Sequence, residues 1–193
     1  MRPFFFTYKS INITWFMTFA IILASISYVI AGILAKEYEE DKNKIEDIFM
    51  ILLIVVFIGA RLIYAIINIQ SYKGNIFSIF KISHYNLSLL GGIIFGLLAL
   101  LLLSKKYKVE FNKLFRIFVV PFYFSMAVGI WVLMFDRLLF SSTHLNNIPT
   151  SIISASLLFL MGMILELVLS KKFNNKYISS VILVVVMFLY YMI

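Results

Sequence analysis

Six apolar runs dominate this sequence and leave it few ways to fold. They are Ile13–Ala35, Ile48–Ile69, Leu87–Leu103, Ile117–Phe135, Ile148–Ser170 and Ile178–Ile193, between 16 and 23 residues each. A helix of about 20 apolar residues spans the roughly 30 Å hydrocarbon core of a bilayer. Of the 193 residues, 63% are hydrophobic and only 13% charged, where a soluble domain carries about a quarter. A water-soluble core could not hide that much apolar surface. The expected fold is therefore all-α: a polytopic membrane helix bundle of six transmembrane helices, forming one integral membrane domain over residues 1–193. The first run is too long for a signal-peptide core and lacks a small-residue cleavage site, so it is expected as a retained membrane helix.

Charge sets the expected orientation. The connections Lys36–Asp47, Ser104–Arg116 and Lys171–Tyr177 hold eleven basic residues, and the opposite side holds five: Arg2, Lys9, Lys73, Lys81 and Arg137. The richer side belongs in the cytoplasm, which places both termini outside. The net charge of +8 then serves topology and anionic headgroups rather than nucleic acid. Cysteine is absent, which excludes disulfides and thiolate-bound metals. With two histidines and few acids, neither a metal nor a cofactor is expected.

Arg61 interrupts the second run. A guanidinium keeps its proton, so within lipid it needs an acid, carbonyls or a lipid phosphate beside it. It lies about 20 Å from the inner end of that span, in the outer half of the membrane. Two roles are open: it holds a lipid phosphate, which its planar fork suits, or it pairs with Asp136 and fixes helix packing. Tyr64, three residues on, shares its helical face, and serves either the same site or as an interface anchor. Asp136-Arg137 closes the fourth run, as a solvated boundary or a headgroup clamp. Gly91, Gly92 and Gly96 form a small-residue stripe that admits a close helix or a lipid chain. Glu166, near the inner end of the fifth run, is expected to snorkel toward Lys171 and Lys172. Residues 70–86 alternate apolar and polar side chains, as an amphipathic segment in the headgroup layer or a loop folded onto the bundle. His84 and His144 fall in outer connections and are candidate general bases alongside Asp136. No phosphate-binding loop, nucleophile elbow, zinc motif or dinucleotide fingerprint occurs.

The order of several motifs carries a resemblance. Thr14-Trp15-Phe16-Met17 opens the first span, Gly59-Ala60-Arg61-Leu62-Ile63-Tyr64 lies late in the second, and Ser88-Leu89-Leu90-Gly91-Gly92 leads to Gly96 in the third. Pro149-Thr150-Ser151 opens the fifth. Together these resemble the bacterial prolipoprotein diacylglyceryl transferases, which carry G-G-R-x-G-Y, then G-G-M-S-F-H-G-G-L-I-G, then H-P-S-Q, with the N-terminus outside. The resemblance implies a multi-pass protein of the bacterial plasma membrane, with phosphatidylglycerol and a lipoprotein signal peptide as partners. It also implies a reaction, transfer of diacylglyceryl from phosphatidylglycerol to a lipoprotein cysteine. In that reaction Arg61 and Arg137 would face the departing phosphate, and His84, His144 or Asp136 would take the thiol proton. The chain departs from the family at marked places. Leu90 stands where the family has His, and Thr14 and Phe16 replace a His and a Tyr. The segment Gly129–Leu138 aligns with G-R-x-G-N-F-x-N-x-E but lacks its Arg, both Asn and the Glu. The sequence holds six spans where the family has seven, so the expectation is a divergent, shortened member.

Three functions fit. One is a transferase of that family. Another is a non-catalytic paralogue or partner subunit that binds phospholipid or a lipidated peptide, which retained Arg61 and the altered Gly129–Leu138 segment favour. The third is a small transporter, suggested only by polar residues inside the spans.

Overall fold

The computed structural model describes residues 4–8, 11–72, 87–135, 148–172 and 177–193. The apolar runs are helices. In chain order these are α1 (Trp15–Glu37), α2 (Lys42–Ile67), α3 (Leu89–Tyr107), α4 (Phe111–Gly129), α5 (Ile148–Lys172) and α6 (Ile178–Met192). Short 3-10 turns follow α2 at Ile69–Tyr72 and α4 at Ile130–Met134. Helices α1 to α5, with α4 extended by its 3-10 turn, are long and apolar enough to cross a bilayer. α6 has 15 residues and extends only about 23 Å, so a bilayer around it has to thin or the flanking residues have to join it.

Polar caps set the helix starts. Thr14 accepts from the Met17 amide at 3.3 Å, Asp41 from Asn43 at 3.0 Å and Ser88 from Gly91 at 3.2 Å. Each satisfies an amide that the first helical turn leaves without a partner. α3 runs through Lys105 and Lys106 and stops at Lys108, whose φ of 55° is left-handed. The turn that follows is held from both sides: the Val109 amide donates to Ser104 O at 3.1 Å, and Ser104 Oγ donates to Val109 O at 2.7 Å.

One element precedes the first helix. Phe4–Tyr8 (β1) and Ile11–Thr14 (β2) pair antiparallel, with a register shift between Phe4 and Phe6. Apart from Asn12, both segments are aromatic or β-branched, the composition that suits a pleated ribbon. The ribbon runs straight into Thr14, the cap of α1, so the helix begins two residues after Ile13. Its ring cluster is close: the Trp15 ring lies 5.0 Å from Phe5, edge to face, and 5.0 Å from Phe135, tilted.

The chain divides into two compact units. The first comprises Met1–Tyr38 and Phe115–Ile193, and so holds α1, most of α4, α5 and α6. The second, Glu39–Leu114, is built on the antiparallel pair α2 and α3. Both enclose large apolar residues such as Ile48 and Phe159, and both also turn many large apolar side chains outward. In the first, buried positions include Ser27, Ala31, Gly32 and Ala35 of α1, Ala155 and Ser156 of α5, and Ser179 of α6, while Ile21, Leu157, Val184 and Phe188 are exposed. Small side chains let helices approach, and large apolar ones face lipid, which is as apolar as they are. Ser27 and Ser125 share a hydrogen bond of 2.7 Å between α1 and α4. In the second unit, α2 and α3 meet along Gly59, Ala60, Gly91, Gly92 and Gly96, and Leu102 and Ile67 face outward.

Candidate functional site

The crossing of α2 and α3 sets the position of Arg61. Ala60 O accepts the Ser88 amide at 2.9 Å, which ties the start of α3 to the last turns of α2. A Cβ added to Gly91 would lie 2.6 Å from Ile63 Cβ and 2.7 Å from Gly59 O. One added to Gly92 would lie 3.3 Å from Val56 Cγ1 and 3.7 Å from Ala60 Cβ. Val56, Gly59, Ala60 and Ile63 therefore form the face of α2 that meets α3. At about 100° per residue, Arg61 leaves the helix roughly 150° from the middle of that face, and Tyr64 about a quarter turn from it. The glycine stripe and the guanidinium thus occupy different sides of α2. The stripe brings backbones together. Arg61 projects away from α3 and is half-buried, as is Tyr64. Arg61 stands six residues before the end of α2, about 9 Å along the axis. Asn68, which closes the helix, donates from Nδ2 to Tyr64 O at 3.0 Å and fixes that last turn.

The remaining sequence candidates, His84, His144, Asp136 and Arg137, lie outside the described residues, as does most of the amphipathic segment 70–86. Among the described residues no group of three or more His, Asp or Glu is placed to hold a metal.

Of the segment Gly129–Leu138, residues 129–135 are described and belong to the first unit. At Gly129 the α-helix tightens into the 3-10 turn Ile130–Met134. Trp131 Nε1 donates to Ser156 Oγ at 3.1 Å, and Ser156 Oγ donates on to Ala127 O at 2.8 Å. These bonds link the 3-10 turn and α4 to α5 through one indole N–H and one hydroxyl. Sequence reading missed Ser156, because a serine in an apolar run announces no partner. A Trp131→Phe variant keeps a ring and removes the N–H. It is expected to lose about 1 kcal/mol of stability, read as a lower thermal midpoint in detergent.

Glu166 departs from expectation. It does not snorkel toward Lys171 and Lys172 but turns inward, 1% exposed, and accepts a hydrogen bond from Ser179 of α6. A carboxylate in an apolar helix is stabilised wherever donors and a cation are nearest. Here these are the Ser179 hydroxyl and Arg116, which acts on Glu166 electrostatically.

A family model described as prolipoprotein diacylglyceryl transferase matches residues 3–193. Among curated relatives, a phosphatidylglycerol–prolipoprotein diacylglyceryl transferase of Clostridium kluyveri is 29% identical over 131 residues, 68% of this chain and 51% of its own length. One from Clostridium botulinum is 29% identical over 167 residues, covering 86% of this chain and 64% of that protein. A third, from Finegoldia magna, is 30% identical over 126 residues, 65% of this chain and 51% of the relative. The chain thus spans between half and two thirds of the length of these relatives. With a match that runs nearly end to end and apolar helices of membrane-crossing length, the chain belongs to the prolipoprotein diacylglyceryl transferase family of bacterial multi-pass membrane proteins.

Proposed function

We propose that this protein binds phosphatidylglycerol-type lipid in the outer half of the membrane through Arg61, and that the transfer step of its family is lost or strongly slowed. The carrying observation is the half-buried guanidinium that the glycine-packed crossing turns away from α3, late in an otherwise apolar span. A planar fork of donors in a low-dielectric setting recognises phosphate oxygens. Tyr64 is near enough in the helix to hydrogen-bond the same headgroup.

Transfer asks for more than binding. The cysteine thiol gives up its proton, a sulfur–carbon bond forms to the glyceryl carbon, and the carbon–oxygen bond to glycerol phosphate breaks. Cationic and hydrogen-bonding groups must stabilise the departing phosphate, and a base must take the proton. In the aligned segment the positions of the family's Arg, both Asn and the Glu are Ile130, Leu133, Asp136 and Leu138. Losing one such donor alone costs about 100-fold or more in rate.

Membranes holding the protein, given labelled phosphatidylglycerol and a lipobox peptide, test this. The expected result is retained lipid with no transfer of label to the peptide. Label on the peptide would instead establish the second reading, a working diacylglyceryl transferase with phosphatidylglycerol and a lipoprotein signal peptide as substrates. The family match over residues 3–193 favours that second reading.

A further inference from the structure

Three helices of the first unit bring a polar cluster together where α4 and α6 begin and α5 ends. α4 contributes Arg116 and Tyr123, α5 contributes Glu166 and Ser170, and α6 contributes Ser179. Arg116 Nη1 donates to Ser170 O at 3.4 Å, and Ser179 Oγ donates to Glu166 Oε1. Glu166 Oε2 and Tyr123 Oη are both buried and have no hydrogen-bond partner. Tyr123 is 0% exposed and Glu166 1%. The Tyr123 ring lies against α5 one helical turn before Glu166: a Cβ added to Gly162 would be 3.4 Å from Tyr123 Cε1.

Buried oxygens on packed turns of α4 and α5, neither with a protein partner, call for a further group beside them. Its chemistry is constrained. A cation would add to the charge of Arg116, which already faces Glu166, and an anion would be repelled by the carboxylate. An apolar guest would leave both oxygens unsatisfied. What fits is small, neutral and able to donate and accept. The geometry points to a built-in hydration site at the α4–α5–α6 junction, where one water accepts from Tyr123 Oη and donates to Glu166 Oε2. Internal waters characteristically make two to four such bonds to buried polar groups that lack other partners. The water completes a chain from α4 through Glu166 to Ser179, and so helps seat the short α6.

The test is an experimental map of the protein in detergent or nanodisc at a resolution that shows ordered water. The expected result is a discrete peak about 2.6–3.2 Å from both oxygens. A direct Tyr123–Glu166 hydrogen bond, or a junction with no peak, overturns the proposal. Tyr123→Phe removes one oxygen with almost no change of shape. It is expected to abolish the peak and lower the unfolding midpoint by about 2–4 °C for the lost hydrogen bond. An unchanged or higher midpoint counts against the site, since a dry hydroxyl contributes nothing when removed. The wild-type map decides even if the variant does not fold.

Discussion

Gly59→Ala and Gly91→Ala are each expected to destabilise the α2–α3 pair by about 1–3 kcal/mol, the range for overpacking a close-packed interior. At Gly59 the added methyl would overlap the Cβ and ring root of Phe95. Those atoms are fixed to the backbone of α3 and cannot swing aside as the end of a long side chain would. At Gly91 the obstacle includes Gly59 O, a backbone atom, at 2.7 Å. Either helix must move outward, and contacts along the whole seam loosen with it. Gly96 is the internal control. Its added methyl would meet only Val56 Cγ2 at 3.1 Å, a methyl that can yield slightly. Thermal unfolding in detergent should rank Gly59 and Gly91 well below Gly96. If all three alanine variants unfold with the wild type, the helices do not approach as closely as described.

Arg61→Ala should strip phosphatidylglycerol from the purified protein. Hydrogen bonds to charged groups contribute about 1.5–3 kcal/mol, so the fall in retained lipid is expected at about 10-fold or more. Arg61→Lys keeps the charge and loses the fork, and should retain an intermediate amount. Mass spectrometry of co-purified lipid measures both. Lys105→Ala, an exposed change at the far end of α3, serves as the comparison and should leave the bound phosphatidylglycerol unchanged. If Arg61→Ala retains as much lipid as Lys105→Ala, Arg61 does not hold the headgroup and its role is confined to the protein.

The spans were legible because their signal is thermodynamic and local: about 20 apolar residues in a row have one stable answer in a bilayer. Helix ends moved by several residues where polar side chains continued the helix, as at Lys105–Tyr107 of α3 and Lys42–Asp47 of α2. The N-terminal ribbon was not legible. Its aromatic residues sit in a short basic segment whose pairing with Ile11–Thr14 depends on a turn that the residues before the first apolar run do not signal. Arg61 announced itself as a charge in lipid. The direction of its side chain did not, because that depends on which face of α2 the glycines of α3 select. Glu166 was read from its sequence neighbours, Lys171 and Lys172, but its partners come from α4 and α6. The Trp131–Ser156–Ala127 relay was hidden for the same reason, its atoms being 25 to 29 residues apart in the chain.

The large apolar side chains that these helices turn outward foretell how the chain tolerates random change. On α6, Val181, Val184, Val185 and Phe188 face outward, whereas Ser179, Ile182 and Val186 are enclosed. Exchanges among leucine, isoleucine, valine and phenylalanine should pass almost unnoticed at the first group. At Ser179, alanine already removes the hydroxyl that Glu166 depends on. In a saturation library the intolerant positions would then include serines, alanines and glycines beside the enclosed large residues, although such small residues are the most freely replaced on the surface of a water-soluble protein.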